Sequence, residues 1–182
     1  MANNLSQLKA KYSPLHRLLV SGNWQEADLE TTRLTFRVDS EKLKIDGGIP
    51  ARGEIAEIID KFPIQELQLI NFLWKKHSKG RFGFSVQWQI FQEITAAYYN
   101  PDLIEKYLVN KRWSPMSALA IQIGWLNKGS GEWAFDRDII YSLDAPLGHL
   151  PTVGRQEMGV AFHHGYMLSW IFSKLYPRNT DY

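Results

Sequence analysis

Apolar positions recur at helical spacing in several separate runs. Leu67, Ile70, Leu73 and Trp74 fall at i, i+3, i+6 and i+7, which predicts one buried stripe on a helix opened by Pro63. Lys75, Lys76 and His77 sit in its last turn, where positive charge suits the helix dipole, and Gly80 is placed to follow its end. From Ser85 onward, Val86, Ile90, Phe91, Ile94, Ala97 and Tyr98 predict a second such helix, stopped by Asn100-Pro101. Nearer the start, Ser13 as N-cap and Pro14 as the first helical residue predict a helix that Gly22 closes. Asn23, with Glu26 three positions on, then caps a helix reaching about Phe36. Ile55, Ile58 and Ile59 predict a short helix, Asp102–Leu108 another, and Arg155–Leu175 a C-terminal one with Val160, His164, Met167, Leu168 and Ile171 on one side.

Two stretches lack any such period. Residues 39–53 are broken by Gly47, Gly48 and Pro50, and residues 124–148 are polar, glycine-punctuated and aromatic. The pattern therefore predicts an all-α fold of short helices with two long loops. Neither repeat nor low-complexity tract interrupts it, and 182 residues suit one domain with one substantial core.

Composition narrows the chemistry. A hydrophobic share of 45% against 22% charged is that of a folded globular chain. With no cysteine, disulfides, thiol nucleophiles, thiolate metal sites and thioether-linked cofactors are excluded. A net charge of +2 is far from the footprint of a nucleic-acid binder. The run MANNLSQLKAKYS lacks the apolar core of a signal peptide, and no apolar run approaches the ~20 residues that span a bilayer. Seven tryptophans predict first a heavily aromatic core and only second a ligand surface.

The stretch HSKGRFGFSVQWQIF, residues 77–91, carries both readings in miniature. Phe82 and Phe84 fit best as plugs of a tight corner that Gly80 and Gly83 permit. The competing reading, phosphate contacts from Lys75, Lys76, Lys79 and Arg81 with bases stacked on the two rings, rests on a short basic patch amid plentiful acid residues. The stretch WKKHSKGRFGFSVQ also resembles the signature of the Genomes Uncoupled four family, porphyrin-binding proteins that assist magnesium chelatase. YSPLHRLLVSGNWQEADLETTRL is similar to that family's opening helix pair, DKFPIQELQLINFLW to the run before the signature, and SLDAPLGHLP to the stretch that closes its long aromatic loop. The resemblance covers about residues 12–151 in order.

What the resemblance implies is a cupped-hand helical domain whose two loops overhang a hydrophobic cleft holding a tetrapyrrole. On that basis we expect a polar lead-in over 1–11, a tetrapyrrole-binding-like core over 12–154, and a C-terminal helix and tail over 155–182 packed on the core. The implied role is noncovalent binding of protoporphyrin IX or Mg-protoporphyrin IX, assisting or regulating magnesium chelatase in chlorophyll biosynthesis through that enzyme's large porphyrin-binding subunit. The chain is then an accessory protein and not an enzyme, with no required cofactor, no nucleic-acid partner and a monomeric state. A cytoplasmic location with transient, peripheral association with thylakoid membranes goes with it. The alternative is a divergent regulatory or protein-interaction module of the same fold that binds a bilin or no pigment. Met158 and Ala161 stand where further rim arginines are expected, which is the departure that keeps this alternative open.

A porphyrin is a flat apolar disc with two carboxylates on one edge, so its site needs greasy walls and a few cations at the rim. Trp133, Phe135, Ile139, Ile140 and Tyr141 offer one wall, unless they fold back over the helices. Ile49 and Ile59 offer the opposing wall. Arg52, Lys61, Lys128, Arg137 and Arg155 are the candidate rim cations, although each taken alone reads better as a solvated surface charge. His149, His163 and His164 are the polar groups able to meet a pigment-borne Mg²⁺; His149 fits better as a buried, hydrogen-bonded side chain, and His164 is retained in the expected site. Five scattered histidines supply no metal-ligand spacing of the protein's own. Glu54, Glu57 and Asp60 form a solvated helix side, and no nucleophile elbow, P-loop or dinucleotide fingerprint appears.

Overall fold

The computed structural model describes residues 2–36, 57–58, 60–100, 113–153 and 163–177, with the backbone alone at 2–9, 136 and 163–166. Six α-helices are named among them: α1 (Ala2–Val20), α2 (Trp24–Phe36), α3 (Ile64–His77), α4 (Phe84–Tyr98), α5 (Pro115–Gln122) and α6 (His163–Leu175). The described residues hold no strand, only a single antiparallel bridge between Leu126 and Trp133 and a one-turn 3₁₀ helix at Asp136–Asp138. The fold is all-α, as the pattern predicts. The 39–53 loop and the 102–108 helix lie outside the described residues, as do Ile55 and Ile59 of the short helix before Pro63.

α1 packs against α2 and α3; α3 touches α4 and α6, and α5 lies on α4 and α6. Tyr12, Leu15 and Leu19 on α1 share one face at i, i+3 and i+7 and are buried, as are Leu67, Ile70, Leu73 and Trp74 on α3. At the centre Trp24, Trp74 and Phe82 meet with ring centroids 5.7–6.4 Å apart, and the indole Nε1–H of Trp74 donates to Thr31 Oγ1 at 2.9 Å. That bond satisfies the only polar atom of a wholly buried tryptophan.

The α3–α4 corner is the plug that the sequence suggests. Phe82 and Phe84 are both fully buried, which leaves no ring face for a base and removes the stacking reading of this stretch. Ser78 caps α3 and donates its backbone N–H to Trp74 O, while Ser78 Oγ accepts from Phe82 N–H at 2.9 Å. Gly83, at φ +125°, starts α4 in a conformation closed to other residues. A Cβ there would lie 2.9 Å from Asn71 Oδ1, the atom that accepts the Ser85 N–H.

Two helix boundaries differ from expectation. α1 begins at Ala2, not at the Ser13-Pro14 pair, so Pro14 lies inside a helix. Its ring removes one N–H from the ladder, yet the turns on either side continue because the Tyr12–Leu15–Leu19 face is held by the core. Helix α5 was not anticipated at all. Its start carries a strong local signal: Ser114 Oγ accepts from Ser117 N–H at 3.2 Å, and Pro115 occupies the first helical position.

Candidate functional site

The loop from Trp125 to Leu147 begins as a miniature hairpin. Asn127 N–H donates to Glu132 O, Gly131 N–H to Asn127 O and Ala134 N–H to Trp125 O, all at 2.8–2.9 Å. Asn127 Oδ1 accepts from Gly129 and Ser130 N–H at 2.8 and 3.0 Å, the side-chain turn that asparagine favours. The hairpin returns Trp133 to the helices, where it is half-buried against the core. Trp133 and Trp125 close a shallow apolar crevice, with no enclosed room even for a water molecule, together with Met116, Leu119, Ala120, Ile123 and Leu168. Sites that enclose drug-sized ligands occupy roughly 300–1,000 Å³. Among the described residues, this recess by itself does not take a macrocycle.

The outer side of the loop is different. Phe135 is 51% exposed and Ile140 46%, and Leu147 adds a third exposed apolar group at 48%. The Arg137 guanidinium lies 4.9 Å from the Phe135 ring centroid, and its Nε is 3.9 Å from Asp138 Oδ1. Asp138 Oδ2 accepts the Phe135 N–H at 2.7 Å, which fixes the one-turn helix that holds the guanidinium over one side of the exposed ring. Ile139 is buried and Tyr141 half-buried, facing the core. Of the five loop residues expected to form a wall, Phe135 and Ile140 thus present a surface, whereas Trp133, Ile139 and Tyr141 serve as roots.

The remaining expected site residues are more dispersed. Lys61 is exposed and paired with Glu57 at 2.5 Å, which holds the Glu57 carboxyl below its ordinary range through the Lys61 hydrogen bond and charge. Ile49, Arg52, Ile59 and Arg155 lie outside the described residues, and His164 lies on α6 where only the backbone is described. Among the described residues no group of three or more histidine or acid side chains could hold a metal ion.

His149 is 1% exposed; Nδ1 is 2.6 Å from Ile123 O and Nε2 accepts the Ile140 N–H at 3.1 Å. Both ring nitrogens are engaged by backbone, so this histidine is no ligand for a pigment-borne metal as it stands.

The strap from Ser142 to Val153, which the sequence marks through SLDAPLGHLP but without a structural role, is the unanticipated support of the site. Gln87, wholly buried on α4, donates from Nε2 to Gly148 O at 2.9 Å and to Pro151 O at 3.0 Å. Gly148 N–H donates to Arg81 O and Gly83 N–H to Leu150 O, both at 2.9 Å, and Arg81 Nη2 donates to Ala145 O at 2.7 Å. Trp125 Nε1–H donates to His149 O at 2.9 Å. Asp28, buried on α2, accepts from Thr152 N–H at 2.7 Å and Thr152 Oγ1–H at 2.5 Å. The α3–α4 corner thus holds the strap, and the strap holds the loop. Gly148, at φ +76°, brings its backbone so close that a Cβ would lie 3.0 Å from Ile90 Cδ1.

Comparison with known proteins gives a consistent picture. A family model described as GUN4-like matches residues 5–167. The chain is 31% identical over 142 residues to a tetrapyrrole-binding protein of the chloroplast of Arabidopsis thaliana, covering 77% of this chain and 47% of that protein. It is 33% identical over 145 residues to a Ycf53-like protein of Synechocystis, covering 79% and 52%. The chain thus spans about half the length of these curated relatives. Among solved structures, ligand-free GUN4 of Arabidopsis thaliana aligns with a TM-score of 0.57 at 25% identity, covering 91% of this chain and 94% of that one. GUN4 of Chlamydomonas reinhardtii aligns at 0.59 and 24% identity over 90% and 89%, which speaks for the fold alone.

Proposed function

From the premise that the chain belongs to the GUN4-like family, with most of its length matched by that family's model, we propose that it binds a tetrapyrrole noncovalently against the outer side of the 125–147 loop. The observation that carries this reading is the pairing of an exposed aromatic face with a cation on one short turn, Phe135 beside Arg137. A flat macrocycle stacks on such a ring, and its edge carboxylate meets the guanidinium. Ile140 extends the apolar contact, and Lys128, exposed at the hairpin tip, adds a second positive group. The curated relative from Arabidopsis thaliana that bears the name tetrapyrrole-binding protein supports the same ligand class.

The finer role proposed is carriage of protoporphyrin IX or Mg-protoporphyrin IX to the large porphyrin-binding subunit of magnesium chelatase, in an accessory and not a catalytic capacity. The experiment is an absorbance titration with protoporphyrin IX, Mg-protoporphyrin IX and biliverdin. A Soret shift that saturates near one equivalent, and that weakens several-fold in Phe135→Ala and Arg137→Ala, supports the reading. Flat spectra with all three pigments refute it.

A second reading, a partner-binding module without pigment, is favoured by the inward packing of Trp133, Ile139 and Tyr141 over a recess too small for a macrocycle. It predicts that Trp133→Ala chiefly lowers the melting temperature and that no pigment binds the wild-type protein.

A further inference from the structure

We propose that His149, in its neutral Nδ1–H form, is a positioning residue for the ligand loop, and that a proton on its Nε2 releases that loop. The inference rests on the reading above that the 133–141 segment touches the tetrapyrrole, and it adds a regulation to that site.

The tautomer follows from the partners. A backbone N–H can only donate, so Nε2, which faces the Ile140 N–H at 3.1 Å, must be the bare acceptor nitrogen. Nδ1 then carries the proton and donates it to Ile123 O, 2.6 Å away at the end of α5. One ring thus joins the rigid end of a helix to the loop at the backbone of exposed Ile140, directly after buried Ile139. The backbone makes room for it: Gly124 lies at φ +79°, and a Cβ there would be 3.3 Å from His149 Nδ1 and 3.0 Å from Pro146 Cγ. The carbonyl of His149 accepts the Trp125 indole N–H, so the hairpin base is tied to the same residue.

Imidazolium has two donors and no acceptor. Protonation at Nε2 therefore sets two N–H groups against each other at Ile140 while the Nδ1 bond to Ile123 O survives. The consequence is local: the loop end that carries Ile140 detaches, and the helix end does not. The charged and titratable groups on the surrounding segments include Arg81 on the α3–α4 corner, Glu93 and Tyr98 on α4, Lys128, Glu132, Asp136, Arg137, Asp138, Tyr141 and Asp144 on the loop, Asp28 on α2, and His163, His164, Tyr166 and Lys174 on α6; α5 carries none. Arg81 is engaged by Ala145 O, Asp28 by Thr152 and Asp138 by the Phe135 N–H, and Glu93, Arg137, Asp138 and Asp144 are exposed.

Two substitutions separate the roles. His149→Asn places an amide N–H near the Nδ1 position and keeps the helix bond but not the loop bond. His149→Gln reaches the Nε2 position and offers an oxygen to the Ile140 N–H. The first measurement uses the pigment-free protein and nitrogen-15 NMR of the Ile140 amide and the His149 ring from pH 8 to pH 5. The Ile140 amide is expected to shift as Nε2 gains its proton, to be already shifted at pH 8 in His149→Asn, and to stay near its wild-type position in His149→Gln. The second measurement is protoporphyrin IX affinity over the same range. At pH 8 His149→Asn is expected to bind about three- to tenfold more weakly than wild type, the worth of one hydrogen bond, with a flatter pH profile, and His149→Gln to recover most of the affinity. An Ile140 amide that ignores both pH and the Asn substitution overturns the proposal, as does an unchanged affinity and pH profile in His149→Asn. A wild-type protein that binds no pigment defeats the reading under Proposed function instead, and the amide signal still decides whether the latch exists.

Discussion

Removing the carboxylate of Asp28 should loosen the strap from the far side of the molecule. Asp28 is 4% exposed and takes two bonds from Thr152, at 2.7 Å from the backbone N–H and 2.5 Å from the hydroxyl. Hydrogen bonds to a charged partner contribute about 1.5–3 kcal/mol each. Asp28→Ala loses both and strands two buried donors, for an expected loss of about 3–5 kcal/mol. Asp28→Asn retains an oxygen for the Thr152 N–H and exchanges a charged bond for a neutral one, for about 1–2 kcal/mol. Thr152→Val removes only the hydroxyl bond, about 1.5–3 kcal/mol. Urea unfolding measures each. With a slope of about 2 kcal/mol per molar for a chain of this size, the midpoint of Asp28→Ala should fall by about 1.5–2.5 M. The Asp28→Asn, Thr152→Val double-mutant cycle should show a coupling of about 1 kcal/mol. A midpoint within about 0.3 M of wild type for Asp28→Ala, or strictly additive single changes, refutes the claim that this pair holds the strap.

Two other outcomes follow from the geometry. Gly83→Ala forces an L side chain to φ +125° and against Asn71 Oδ1 at 2.9 Å; a stability loss of about 2–3 kcal/mol is expected, and thermal or urea unfolding indistinguishable from wild type contradicts it. Burial, and then the charges of His16 and Lys76, hold the His77 imidazole below its ordinary value of 6.5, with the His16 ring 5.1 Å away. The folded state thus takes up this proton less readily than the unfolded chain. Its contribution to stability is complete above pH 6.5 and is lost as pH falls through the lowered value, so urea midpoints measured from pH 8 to 5 should decline less steeply in His77→Gln.

Much of the helical frame is legible in the sequence because its signals are local. Pro63, Gly80 and the 67–70–73–74 stripe specify α3 within a dozen residues, and Asn23 specifies the start of α2, its Oδ1 lying 3.5 Å from the Glu26 N–H. Ser114-Pro115 was equally local, but α5 is eight residues of mostly small or apolar type without a polar face, so no periodicity drew attention to it. Pro14 misled because its preference for a first turn was overridden by packing on both sides. The split of the 125–147 loop into inward Trp133, Ile139 and Tyr141 and outward Phe135 and Ile140 was not legible. That choice is made by the strap, whose anchors Gln87, Arg81 and Asp28 bond across 61 to 124 residues. No window of sequence contains both ends of such a bond.

The same separations order the assembly of the molecule. During synthesis α2 emerges with a carboxylate destined for the interior, and its partner Thr152 follows 124 residues later. Contacts of such long loop closure carry a high entropic barrier and form after local helices have nucleated. A ribosome-bound nascent chain halted before residue 152 therefore lacks the two Thr152 bonds to Asp28, and that clasp across the fold closes only once the strap has emerged.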